Sequence, residues 1–489
     1  MRFRRVSLQG LLLRFLVLSG VICAVAPASG QVDAVRKGRR WTTAAEGEGE
    51  GEMPPPVVFV NRANASAITN GATWETAFRA IQEGIDACHA LGGGEVWIAG
   101  GKYGELRTNG GAVVLRSGVH VYGGFAGTES LRAERNWTLH ATTIDGFSSN
   151  GGAPATRVVQ GADDATLDGF VIQGGRGAYG GGLRNDGVSP LIRHCVFRNN
   201  RATTLGGGMY NADGAAPRIH NSIFYNNHCD THGGALANDS ASPSLVGCTV
   251  SENRAAFRGA GIYNNVASFP TCVNCIFWNN TPEDVGSTGT SHITIQYSTI
   301  GVTTPGIGNV FLNPLFRNPS IGNFTLRPGS PAIDRGRDTS GAEFGNVTHD
   351  LQGNLRGYDG DGLGLSTADG SDFDMGAHEF TGEDATVYHS ADTNADFAII
   401  LTELLRVVQF YNSGAYHCVF GTEDGYAPGP GACEAGLPHN SDYAPQDFKI
   451  SLVELLRLVQ FYNAPGGYMA DPETEDGYRP IFDFPQPTR

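Results

Sequence analysis

The sequence predicts an all-β chain wound as a solenoid of short stacked strands, followed by a small α-helical loop-helix domain. Two observations carry the first part. A motif is written four times at a spacing of 26 or 27 residues, as GGGLRNDGVSPLIRHCVFRNN from residue 180, then GGGMYNADGAAPRIHNSIFYNN, GGALANDSASPSLVGCTVSEN and GAGIYNNVASFPTCVNCIFWNN. The composition agrees, with 69 glycines among 489 residues and only 17% charged side chains. A third observation, a doubled loop-helix pattern after residue 385, carries the second part.

Aligned on the motif, the copies form columns. Leu183, Met209, Leu236 and Ile262 fall together, as do Ile192, Ile219, Leu245 and Cys272, and Cys195, Ser222, Cys248 and Cys275. Phe197, Phe224, Val250 and Phe277 make an aromatic-rich column. Two polar columns accompany them: Asn185, Asn211, Asn238, Asn264, and Asn200, Asn227, Asn253, Asn280. Helical repeats are excluded by the glycine doublets, a leucine-rich horseshoe by the missing leucine ladder, and a propeller by its blade of about forty residues. A three-sided coil needs roughly 20 to 30 residues per turn and fits. In such a coil like side chains meet at the strand spacing of about 4.8 Å. Apolar columns then fill a narrow interior, and stacked asparagine amides satisfy one another where water is excluded. Residues 57 to 335 supply chain for roughly ten turns, a rod on the order of 50 Å.

The remaining segments follow in order. Residues 1–30 read as a secretory signal peptide, with Arg2, Arg4 and Arg5 before an apolar run and small residues at Ala28 and Gly30. Its removal leaves 30 basic against 49 acidic side chains, a net charge of −19. Such a surface repels phosphates, so nucleic acid is excluded as a partner, and no second apolar run is long enough to span a membrane. Residues 31–56 end in EGEGEGEMPPP and read as a disordered linker. VVFVN at 57–61 is a strand, and TWETAFRAIQEGIDACHA places Ala77, Ile81, Ile85 and Cys88 at helical spacing, as a lid on the first turn.

The paired GG-A/G-aliphatic and F-x-x-N motifs resemble the repeats of polymorphic outer-membrane proteins. The N-terminal lid resembles that of right-handed parallel β-helix proteins of the pectin-lyase-like superfamily. FLNPLFRNPSIGNFTLRPGSPAIDRG, with DLQGNLRG and DFDMGAHEF, resembles the closing segment of secreted β-helix proteins of the choice-of-anchor kind. These resemblances cover residues 57–380 and imply a right-handed parallel β-helix, without the membrane barrel that ends polymorphic outer-membrane proteins.

Residues 385–489 hold HSADTNADFAIILTELLRVVQFYN and HNSDYAPQDFKISLVELLRLVQFYN, two copies about 51 residues apart. Asp392, Asn394, Asp396 and Glu403 occupy positions 1, 3, 5 and 12 of a calcium loop, hard oxygen ligands at alternate positions closed by a glutamate. Phe397 replaces the turn glycine. In the second copy Asp442, Asp447 and Glu454 correspond, with one extra residue. The pair resembles a divergent dockerin or EF-hand-like module, implying bound Ca²⁺; an acidic turn capping a helix is the other reading. Cys418 and Cys433 are the best-spaced candidates for a disulfide in an exported module. Cys272 and Cys275 form C-x-x-C but fall in core columns, and a bridge between Cys248 and Cys275 stays open.

Polysaccharide lyases of this fold need several acids and an arginine base converging on one outer face. Asp168, Asp186, Asp213, Arg184, Arg193, Arg198, Arg201, Arg218, His194, His220, His228 and His232 lie in the repeats without a spacing that singles out such a set, and read as solvent-facing decoration. No catalytic residue is assigned. The expectation is a secreted or cell-surface scaffold, non-catalytic and adhesin-like, that binds an extracellular glycan or surface protein. A polysaccharide lyase or glycoside hydrolase and a structural surface-layer component stand as alternatives.

Overall fold

The computed structural model describes residues 55–301, 304–327, 329–358, 372–381, 389–393, 398–419, 426–431, 439, 441–443, 447–464, 468–470 and 478–480. The signal segment and most of the linker lie outside these residues.

From Val57 to Ile300 the chain winds through parallel strands that stack into sheets of nine, eight and seven strands, with a fourth sheet of four short strands. The expected three-sided coil therefore has an extra, short side. It also has fewer turns than expected, about eight instead of ten, because the chain leaves the coil after Ile300 and pairs Phe316–Asn318 antiparallel with Asn323–Leu326.

Register explains the repeated letters. On the nine-stranded sheet Ile192 pairs with Ile219, then Leu245, Cys272 and Ile295, all fully buried. On the eight-stranded sheet Phe197, Phe224, Val250 and Phe277 stand in one register column. Phe197 and Phe224 stack with centroids 4.6 Å apart and planes 3° from parallel; Val250 separates Phe224 from Phe277. Each such side chain removed from water contributes about 1.5–3 kcal/mol.

The corners need backbone that turns sharply. Between the nine- and eight-stranded sheets the turning residues are His194, Asn221, Gly247, Asn274 and Tyr297, with φ between 44° and 59°. After the eight-stranded sheet they are Asn199, Asn226, Glu252 and Asn279, with φ between 52° and 58°. Asparagine tolerates this left-handed region better than most residues. Each F-x-N-N doublet thus divides its labour: the first asparagine bends the chain, and the second enters a buried ladder.

In that ladder Asn200 Nδ2 donates to Asn227 Oδ1 at 3.1 Å, Asn227 to Asn253 at 3.1 Å and Asn253 to Asn280 at 2.9 Å. The same amides reach back to the preceding turn, Asn227 Nδ2 donating to the Phe197 carbonyl at 2.8 Å. Asn280 Nδ2 donates to Asp284 Oδ1 at 2.7 Å, where the series stops. On the seven-stranded sheet Asn185, Asn211 and Asn238 donate in the same way at 2.8–2.9 Å, and Asn264 ends the series on Ser287 Oγ at 3.3 Å. Cys88, Cys195, Cys229, Cys248, Cys272 and Cys275 are free and buried, so no bridge joins Cys248 to Cys275.

Helix α1 runs Ile81–Ala90 and buries Ile81, Ile85 and Cys88 against the first strands. It is shorter than the apolar spacing suggests. Phe78 is held extended by Phe78 N donating to Phe59 O and Asn61 N donating to Phe78 O, so Ala77 lies outside the helix.

Residues 314–327, 329–358 and 372–380 form a strap along the side of the coil. Phe316, Phe324, Leu326, Ile333, Leu351 and Met375 pack on Ile223, Tyr225 and Ile276, outward residues of the eight-stranded sheet. Corner asparagines anchor it: Asn221 Nδ2 donates to His349 O at 2.5 Å, Asn274 Nδ2 to Arg337 O at 2.7 Å. At its centre Arg356 donates to Glu379 at 3.1 Å, Asn221 Oδ1 at 2.8 Å and Gly376 O at 2.7 Å, all out of water.

The C-terminal region holds α2 (Leu401–Ser413) and α3 (Leu452–Tyr462), packed together, each followed by a two-stranded antiparallel hairpin. The two copies hold each other. Tyr416, after α2, donates to Asp442 Oδ2 at 2.6 Å and accepts from His439 N; Tyr468, after α3, donates to Asp392 Oδ2 at 2.6 Å and accepts from His389 N. Cys418 is disulfide-bonded; Cys433 lies outside the described residues.

Candidate anion-binding faces

The residue after the ladder asparagine points outward on the four-stranded sheet. Arg176, Arg201, His228 and Arg254 form one register column there, while Ala202, Cys229 and Ala255 point inward. Three intervals at about 4.8 Å spread the cations over roughly 14 Å. Asp230 takes Arg201 at 2.7 Å and His228 at 3.0 Å; Arg176 and Arg254 pair with no acid among the described residues. A cleft of about 210 Å³ opens between Arg176, Arg201, Thr203 and Asp230. Beside it runs an aromatic strip. Tyr179 and Tyr210 lie 5.0 Å apart with the Arg184 guanidinium over both, and His232 packs on Tyr263 and on the exposed Phe257. Guanidinium groups with aromatic rings on a ridged surface suit a ligand that is flat, hydroxylated and anionic.

A second cluster lies on the outer face of the nine-stranded sheet, where Tyr122, Asp168, Arg193 and His220 share a column. Asp168 is fully buried and receives Arg193 Nε at 2.6 Å, Arg135 Nη2 at 2.7 Å and His194 Nδ1 at 2.9 Å. Burial alone would raise this carboxyl, but Arg135, His194 and Arg193 hold it well below the usual carboxylate range. Trp137 stacks on His194 at 4.7 Å, and the Arg135 guanidinium lies over the Trp137 ring, 4.5 Å from its centroid. The cluster corrects the expectation of scattered, solvent-facing residues: Asp168, Arg193 and His194 converge, and His194 and His220 are largely buried. It assembles one acid with two arginines, whereas a lyase needs several acids beside an arginine. Arg135, Trp137, Arg176 and Arg254 were not singled out from the sequence; the Arg-His-Arg succession after the ladder asparagines is the signal that reveals the first face.

His220 gives this region a pH signature. Burial first, then Arg218, Arg193 and His194, push its ring down to about 3. The unfolded ring titrates near 6.5, so the unfolded chain takes up a proton that the native ring refuses. The stability from the neutral ring is complete above about pH 6.5 and is lost as pH falls toward about 3, by up to ~1.4 kcal/mol per pH unit. The melting temperature should therefore fall between pH 7 and 4, and less steeply in His220→Phe; parallel pH profiles for the two chains would refute this.

In the C-terminal module Asn394 and Asp396 lie outside the described residues, and among those described no group of three or more metal-ligating side chains comes together. Glu403 Oε1 accepts from Thr393 N at 2.8 Å and Oε2 from Ile400 N at 2.9 Å; Glu454 accepts from Tyr443 N and Ser451 N. Asp442 accepts from the amides of Asp447 and Phe448, so the loop folds round its carboxylate. Burial, with the Glu454 charge among the lesser causes, raises the Asp442 carboxyl. Asp442 and Glu454, near enough for the one charge to raise the other, carry oxygen donors of the kind a hard cation such as Ca²⁺ prefers, and would be the residues to hold it.

A family model described as a right handed beta helix region matches residues 117–301. The fold is a right-handed parallel β-helix. Among curated proteins, mannuronan C5-epimerases AlgE3 and AlgE1 of Azotobacter vinelandii are 35% and 34% identical over 106 residues, 21% of this chain. The matched stretch spans only 5% and 7% of those proteins. Among known structures, pectate lyase Pel9A aligns over 67% of this chain and 97% of its own at 11% identity, TM-score 0.38. A pectin methylesterase from Aspergillus niger aligns over 54% and 85% at 14% identity, TM-score 0.30. No described helix of this β-helix protein is long and apolar enough to cross a membrane.

Proposed function

We propose that this chain is an exported, non-catalytic β-helix that binds acidic polysaccharide along its four-stranded sheet, with a calcium-stabilised C-terminal attachment module. One observation carries the reading: an acidic chain, net −15 as written, sets three arginines and a histidine in a single outward column, two of the arginines without an acid partner among the described residues. Local positive potential on a negative molecule concentrates anionic ligands at that face and repels them elsewhere. The adjoining tyrosines supply flat apolar surface for sugar rings. The stretch shared with proteins named for mannuronan, a polyuronate, supports the same ligand class.

Binding to polygalacturonate should weaken about tenfold in Arg176→Gln/Arg254→Gln, at roughly 0.7 kcal/mol per exposed charge, and should weaken with added salt. Unchanged affinity in the double variant, or equal affinity for a neutral glucan, would sink the proposal. The enzyme alternative rests on the Asp168–Arg193–His194 convergence and is decided by turnover: release of unsaturated or reducing ends from a polyuronate would replace the binding reading with a catalytic one. The calcium reading predicts that a chelator lowers the melting transition of the C-terminal module and that added Ca²⁺ restores it; an unmoved transition refutes it.

A further inference from the structure

Between the strap and the nine-stranded sheet lies a cleft of about 100 Å³, walled by Arg193, His194, His220 and Asn221 on one side and by residues 345–349 on the other. We propose that this cleft binds one small oxyanion group, a carboxylate or a sulfate. The site is distinct from the glycan face, since none of these residues lies on the four-stranded sheet.

Three features converge. Arg193 gives Asp168 only its Nε, at 2.6 Å, and its two terminal nitrogens have no partner among the described residues, leaving the planar end that recognises oxyanions in bidentate fashion. His220 is 4% exposed, its ring makes no hydrogen bond among the described residues, and it borders the cleft, so its ring N–H is open to a ligand there. The surroundings hold surplus positive charge. Arg135 and Arg193 share the single carboxylate of Asp168, and Arg218, which pairs with no acid among the described residues, reaches toward Gly345 at the rim. Gly345 contributes to the fit: with φ 81°, it carries no side chain where a Cβ would stand 2.9 Å from the His220 ring. An oxyanion here would accept from Arg193 and His220 and balance that charge. The volume admits a group of a few atoms, not a sugar ring.

Isothermal titration of the full chain with sodium acetate, sodium sulfate and neutral glycerol tests this. One saturable site for acetate or sulfate, and none for glycerol, is expected; acetate without sulfate marks a carboxylate site, the reverse a sulfate site. Arg193→Lys keeps a cation beside Asp168 but loses the fork, and should bind about tenfold more weakly at an unchanged melting temperature. His220→Phe should also bind more weakly. Absence of saturable anion binding, or wild-type affinity in both variants, overturns the proposal. Should Arg193→Lys unfold, crystals of the wild type soaked in selenate decide: anomalous density within hydrogen-bond reach of Arg193 and His220 supports the site, density only elsewhere overturns it. Arg176→Gln/Arg254→Gln should keep this site intact, so failure of the glycan reading leaves it standing.

Discussion

Replacing Asn227 by alanine should destabilise the coil by about 3–5 kcal/mol, among the largest single-residue effects available to it. The amide of Asn227 donates to Phe197 O and to Asn253 Oδ1, and its oxygen accepts from both the backbone and the side chain of Asn200. Truncation leaves these groups without partners in a region that water does not reach, at roughly 1–3 kcal/mol for each buried orphan. Relaxation of the neighbours keeps the sum below the simple total. The adjoining Asn226 provides the control. It is exposed with φ 52°, so Asn226→Gly should change stability by less than about 1 kcal/mol. Denaturant midpoints of the two variants measure the contrast. Equal losses would mean that the ladder amides contribute no more than the corner geometry.

Arg356→Met should cost a similar 3–5 kcal/mol, felt first in the strap. The substitution keeps side-chain volume but strands Glu379, whose carboxyl is pushed up by burial while the Arg356 charge opposes that rise. Breaking a buried pair from one side costs more than removing both charges. Hence Arg356→Met/Glu379→Gln should recover part of the loss, a coupling readable in a double-mutant cycle. Proteolysis gives a second readout: cleavage within 337–358 should accelerate in the single variant. If the single and double variants are equally stable, the ion pair is not what holds the strap.

These outcomes bear on how much the sequence declares. Its columns are legible because a solenoid places each side chain on its counterpart, so a periodic interior has to be written as a periodic text. The long-range arrangement of the strap is not legible. Asn221 and Asn274 sit in the same columns as His194 and Tyr297, and only the folded chain reveals that their amides turn sideways to grip residues more than sixty positions away. The same holds for Asp168, which lies in a degenerate upstream copy and meets Arg135 from a loop outside the repeat. The cation column was readable in principle, because Arg201, His228 and Arg254 each follow a ladder asparagine; an eye trained on apolar positions passes over it.

Because every side-chain to side-chain bond in the Asn200 series runs from the earlier winding to the later one, the chain has a head and a tail, and Asp284 is the plug at the tail. Growth or shrinkage of the molecule is therefore quantised. A complete extra winding of 26 or 27 residues, copied from the middle, can slide in with all of its donors and acceptors matched. A fragment of a winding cannot, and neither can a whole one added beyond the plug.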